Sequence, residues 1–129
     1  MDTTTIRYTY EDYLALPDNG RRYEIIDGDL FMTPSPAVYH QIVLSNIEES
    51  LRAFVRQRKL GVVLIAPTDV VLSEEDVVQP DILFVSAERK QIITEKNIGG
   101  PPDLVVEVLS DRTRSVDRKQ KRQLYEKYG

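Results

Sequence analysis

Residues 77–85 read Val77-Val78-Gln79-Pro80-Asp81-Ile82-Leu83-Phe84-Val85, and residues 103–109 read Asp103-Leu104-Val105-Val106-Glu107-Val108-Leu109. These are the two most hydrophobic runs in the chain. Runs that are apolar on both faces belong in the middle of a covered sheet, so both are expected as central strands. Each carries one carboxylate inside it, Asp81 in the first and Glu107 in the second. An ionised carboxylate among apolar neighbours is costly unless a cation, hydrogen bonds or a proton compensates it. Strand periodicity puts Asp81 on the face of Leu83 and Val85, and Glu107 on the face of Val105 and Leu109. If the two strands pair, both carboxylates point to one side and can share a metal ion. A single such acid is explained as well by a buried arginine or a frayed strand end. Two on adjacent strands favour a site.

The flanking sequence supplies the other layers. Thr9 with Glu11 and Asp12 marks a helix start, and Pro17-Asp18-Asn19-Gly20 a turn that ends it. Arg21 to Leu30 reads as a hairpin about Asp27-Gly28, because both turn residues tolerate positive φ. After Pro34-Ser35-Pro36 a long helix is expected over residues 37 to 59. Val43, Leu44, Ile47, Leu51, Phe54 and Val55 form its apolar face, and Gly61 ends it. Val62 to Ile65 and Val70 to Leu72 read as short strands separated at Pro67, and Ser73 to Asp76 as a polar turn. A short helix is expected between Ser86 and Pro102. A closing helix spans Ser115 to Tyr128, with Val116, Leu124, Tyr125 and Tyr128 apolar. Together these predict one α/β domain over residues 1–129, a mixed sheet flanked by helices (α+β).

Composition narrows the chemistry. The 129 residues suit one domain with a real core. No cysteine is present, which excludes disulfides, zinc-thiolate sites and thiol catalysis. With a single histidine, His40, a multi-histidine metal site within one chain is excluded too. A metal held here is therefore a hard cation on oxygen ligands, Mg²⁺ or Mn²⁺. The sequence contains neither a secretory pattern nor an apolar run of membrane-spanning length, so a cytoplasmic protein without membrane contact is expected. Net charge is −4, yet Asp111 to Lys127 holds seven Lys or Arg against three acids. Such a local basic face suits phosphate, and equally a solvated helix surface.

Lys121 falls on the same helix face as Asp117 and Tyr125, at spacings of four. Near a metal site its ammonium would orient the nucleophile or stabilise the transition state; alone it is one lysine of a basic helix. The order Glu24, Pro80-Asp81, Glu107 and a displaced Lys121 resembles the PD-(D/E)XK nuclease superfamily. More closely, YEIIDGDL (residues 23–30), QPDILFVS (79–86), PPDLVVEVLS (101–110) and DRKQKRQLYEKYG (117–129) resemble the Uma-two family of restriction endonucleases, domain of unknown function 820. The likeness runs from about Tyr10 to Gly129.

That resemblance implies a restriction-endonuclease-like fold and an Mg²⁺- or Mn²⁺-dependent endonuclease acting on DNA. It gives Asp81 and Glu107 as metal ligands and catalytic acids. The superfamily's usual lysine stands two residues after the second acid, where this chain has Leu109, so the lysine role passes to Lys121, ahead of Lys119. Glu24 matches an N-terminal acid that binds a second metal or holds Lys121; an exposed strand position beside Arg22 is an equal alternative. His40 reads as a packing or capping residue more readily than as a phosphate or metal contact, and Gln41 and Ser110 are compatible with supporting roles. Family members continue past the final helix, so this chain is expected to lack a strand or two, and an unpaired edge favours a homodimer. Two other functions fit the same residues: a non-catalytic nucleic-acid-binding or interaction module that keeps the nuclease fold, and a metal-dependent hydrolase of another phosphate ester.

Overall fold

The computed structural model describes residues 6–17, 21–33, 37–108 and 117–129. The first helix, α1 (Tyr10–Leu14), opens with a capping box in which the Thr9 side chain accepts from the Asp12 N–H and the Asp12 side chain accepts from the Thr9 N–H. Strands β1 (Arg22–Ile26) and β2 (Asp29–Thr33) form the expected hairpin. Its turn takes Asp27 at φ 49° and Gly28 at φ 78°, the conformation that Asp-Gly suits. The long helix α2 (Val38–Arg58) ends at Lys59 in the left-handed region. Strands β3 (Gly61–Ile65) and β4 (Val70–Ser73) follow, separated by a cis Ala66-Pro67 bond.

The run at residues 77–85 is not one strand. It divides into β5 (Asp76–Val78) and β6 (Ile82–Ser86), which lie in different sheets. Pro80 is the physical reason, since it brings no N–H to a ladder. The strands accordingly make two antiparallel sheets in place of the single mixed sheet expected: β2-β1-β5-β4, and β3-β6-β7 with β7 at Leu104–Val106. The only parallel pairing among the described residues is an isolated bridge between Val70 and Ile98. The second hydrophobic run is also shorter than expected. Glu107 lies just past β7, Leu109 lies outside the described residues, and β7 is an edge of its sheet with Leu104 exposed.

A 3₁₀ helix (Ala87–Ile92) replaces the short helix expected after Ser86. The final helix is also modified: a wide π turn (Asp117–Lys121) leads into α3 (Arg122–Tyr128). The expected positions Ser115 and Val116 lie outside the described residues.

Two apolar clusters hold the layers. Ile26, Val70, Val78, Leu83, Val85, Ile98 and Leu124 join strands of both sheets to α3. Val55, Val63 and Ile82, with Leu44, Leu51, Phe84 and Val106 beside them, seat α2 on the β3-β6-β7 sheet. Phe54, assigned to the apolar face of α2, is about half exposed. No helix of the described residues is long and apolar enough to cross a membrane.

Candidate functional site

The break between β5 and β6 builds the site. At a sheet crossing, main-chain donors leave the ladder and need other acceptors. The Gln79 N–H donates to Glu24 Oε2 at 2.7 Å, and the Asp81 N–H donates to Glu107 Oε1 at 3.3 Å. Pro80 between them has no donor to satisfy. Glu24 reaches this point from the buried side of β1, and Glu107 from one residue beyond β7.

Asp81 and Glu107 are brought together as expected, though neither lies inside a strand. The β6–β7 register ends at Ile82↔Val106. One step further, Asp81 and Glu107 face each other, and the ladder continues through side chains: the Val108 N–H donates to Asp81 Oδ2 at 2.7 Å. Leu83, Val85 and Val105 share one core cluster, as strand periodicity predicts for these three.

Lys121 completes the group. Its Nζ lies 2.6 Å from Glu107 Oε2 and 2.8 Å from Glu24 Oε1, with the lysine almost wholly buried. The Tyr125 hydroxyl donates to the same Glu107 oxygen at 3.1 Å. The π turn at Asp117–Lys121 sets the lysine's approach, a backbone feature that recurs at functional sites. The side chains of Asp117 and Arg118 lie outside the described residues, as do Ser110, Arg112 and Arg114. Gln41 is exposed on α2.

Two further residues reach Asp81. Arg22 Nη2 stands 3.4 Å from Oδ1. His40 Nε2 stands 3.5 Å from Oδ2 and 3.0 Å from the Val108 carbonyl oxygen. A carbonyl only accepts, so Nε2 carries the hydrogen. His40 Nδ1 is buried with no described partner. His40 is thus brought against Asp81 and the Val108 carbonyl. Its uniqueness in the chain was the available signal. For Arg22 the signal was its place two residues before Glu24, on the same face of β1.

Among the described residues charge does not balance here. Three carboxylates, Glu24, Asp81 and Glu107, meet two fixed cations, Lys121 and Arg22. Burial pushes the Glu107 carboxyl up to about 7; Glu24 and Asp81 add to the rise, and Lys121 opposes it. Burial by itself would lower the Lys121 ammonium, but Glu24 and Glu107 outweigh it and hold Lys121 above its ordinary value.

A crowded carboxylate group with an oxygen-only donor set fits a hard divalent cation. Among the described residues no three or more His, Asp or Glu side chains form a ready metal cage. The ion that fits is one that takes one or two carboxylates and fills its shell with water and phosphate, as Mg²⁺ does.

The sequence profile of the family Uma2, described as "Putative restriction endonuclease", matches residues 10–129. The chain belongs to the Uma2 family. Among solved structures, one described as a "putative nuclease belonging to DUF820" from Anabaena variabilis is similar in fold. Its TM-score is 0.78 at 19% identity, over 94% of this chain and 69% of that one. Among curated proteins none matches. The restriction-endonuclease-like fold is therefore established for this Uma2 chain, with Glu24, Asp81, Glu107 and Lys121 gathered at the crossing of its two sheets.

Proposed function

We propose that this Uma2 protein is a divalent-metal-dependent DNA endonuclease that hydrolyses phosphodiester bonds, with Mg²⁺ or Mn²⁺ held by Asp81 and Glu107. The observation that carries the reading is the convergence of those two carboxylates, each bonded to main chain beside the other. The surplus of negative charge among the described residues around them supports it, as does membership of a restriction-endonuclease family. When bound, the cation would offset charge on the scissile phosphate and lower the pKa of a water in its shell.

The chain's own groups then divide the work. The Val108 N–H fixes the Asp81 carboxylate, and the Tyr125 hydroxyl with Lys121 fixes Glu107. Glu24 holds the Lys121 ammonium from its other side. Lys121 brings positive charge to the edge where the phosphate would build up negative charge during attack. Exposed Lys119, Arg122 and Lys127 on the final helical segment present cations to a nucleic-acid backbone.

The test is Mn²⁺ binding by calorimetry beside nicking of supercoiled plasmid, for wild type, Asp81→Ala and Glu107→Ala. Binding and nicking are both expected in wild type and lost in each variant. DNA bound without metal-dependent product would assign the chain to a binding module instead.

A further inference from the structure

We infer that Arg22 is a phosphate-contacting residue of this site, parked on Asp81 until a divalent cation takes that carboxylate. The inference rests on the nuclease reading and deepens it. Arg22 begins β1, and its backbone is fixed by pairing with Thr33. Among the described residues its side chain makes one polar contact, the 3.4 Å approach to Asp81 Oδ1. A strong charge-assisted bond between such groups spans about 2.7–2.9 Å, so this one is loose. Asp81 does not depend on it, because the Val108 N–H already holds Oδ2 at 2.7 Å.

Exposure separates the two cations that the described residues bring to the site. The Lys121 side chain is 4% exposed and committed to Glu24 and Glu107. The Arg22 side chain is 26% exposed, against 4% for Asp81. Of these two, Arg22 is therefore the more open to an incoming anion. A divalent ion on Asp81 would cancel the attraction that holds the guanidinium there and repel it. The phosphate completing that ion's shell would then be the nearest anion. A planar fork of five donors grips two phosphate oxygens at once, which an ammonium cannot do. The bland alternative is that Arg22 only neutralises Asp81 in the metal-free protein.

The experiment compares wild type, Arg22→Ala and Arg22→Lys by single-turnover cleavage in Mn²⁺, Mn²⁺ calorimetry without DNA, and DNA affinity in Ca²⁺. Arg22→Ala is expected to slow cleavage about 100-fold while binding Mn²⁺ as tightly as wild type or more so. Arg22→Lys should recover part of the rate. The Ala variant should also weaken DNA binding and lower its salt dependence by about one counterion. Wild-type cleavage by Arg22→Ala would overturn the inference, and so would loss of Mn²⁺ affinity in step with the loss of rate. If wild type itself cuts no DNA, the hydrolase reading has failed. Arg22 is then decided by DNA affinity in Ca²⁺ alone: a drop in the Ala variant upholds the phosphate contact, and no change rejects it.

Discussion

The Asp81 N–H donates to Glu107 Oε1 at 3.3 Å, and the N–H of the residue after Glu107 donates back to Asp81 Oδ2 at 2.7 Å. The two acids thus replace the next rung of the β6–β7 ladder, immediately beyond Ile82↔Val106. Main-chain donors hold the carboxylates, so the pair is preorganised at a buried point where, among the described residues, its charges are only partly compensated.

Glu107 should make the metal-free protein less stable as pH rises. Its folded carboxyl is raised to about 7 from an ordinary 4.5. A raised acid binds its proton more tightly in the folded state. Its stabilising contribution is full below about 4.5 and lost as pH rises through about 7. Thermal melts in chelator between pH 4.5 and 8 should show a falling Tm, with Glu107→Gln removing that part of the slope. Added Mn²⁺ should restore Tm most at the alkaline end, because ion and proton compete for one carboxylate. A Gln variant with the wild-type slope would assign the titration elsewhere.

Lys121→Met leaves Glu24 and Glu107 buried without their shared cation. Removing one partner of a buried ion pair costs about 3–5 kcal/mol, and urea unfolding should register a loss of that order. Glu24→Gln combined with Lys121→Met should cost less than the sum of the two single losses, because the second change removes a charge the first has orphaned. Additive losses would mean that the 2.8 Å contact between Lys121 and Glu24 contributes nothing to stability.

How much of this was legible in the sequence depended on whether local chemistry or chain crossing decided it. The Asp27-Gly28 turn, the Thr9 cap and the α2 span follow from neighbours in sequence, and each appears where expected. The pairing of Asp81 with Glu107 was legible because an acid in an apolar run demands compensation. The division of residues 77–85 between two sheets was not, since a hydrophobic run has the same pattern whether it continues straight or crosses over. Pro80 was the visible sign. The approach of Arg22 and His40 to Asp81 was hidden because it comes from β1 and α2 converging there, a contact spanning 59 residues for Arg22.

His40→Ala should weaken Mn²⁺ binding without unfolding the protein. The ring N–H steadies the Val108 carbonyl at 3.0 Å and lies beside Asp81. Loss of a residue that orients metal ligands typically costs 10- to 100-fold in affinity. Calorimetry should show a drop in that range for the Ala variant. His40→Gln should recover part of it, because its amide N–H can donate to the same carbonyl. Equal affinities in all three proteins would return His40 to a packing role.

Gly61→Ala should destabilise the fold far more than Gly100→Ala, although both glycines have φ near +157° and carry the same backbone strain when substituted. The difference is space. A Cβ at Gly61 would lie 2.1 Å from the Val85 carbonyl oxygen, a backbone atom of β6 that cannot swing away. At Gly100 the nearest atom is Ile92 Cγ2 at 3.5 Å, an ordinary contact. Gly61 pairs with Ser86 at the far end of β6 from Asp81, so the clash strains the β3–β6 ladder without touching the carboxylates. A loss of about 3 kcal/mol beyond that of Gly100→Ala is expected in urea unfolding. Mn²⁺ affinity of the fraction that remains folded should be unchanged. Equal stability of the two variants would mean that β3 does not approach β6 as closely as its register requires.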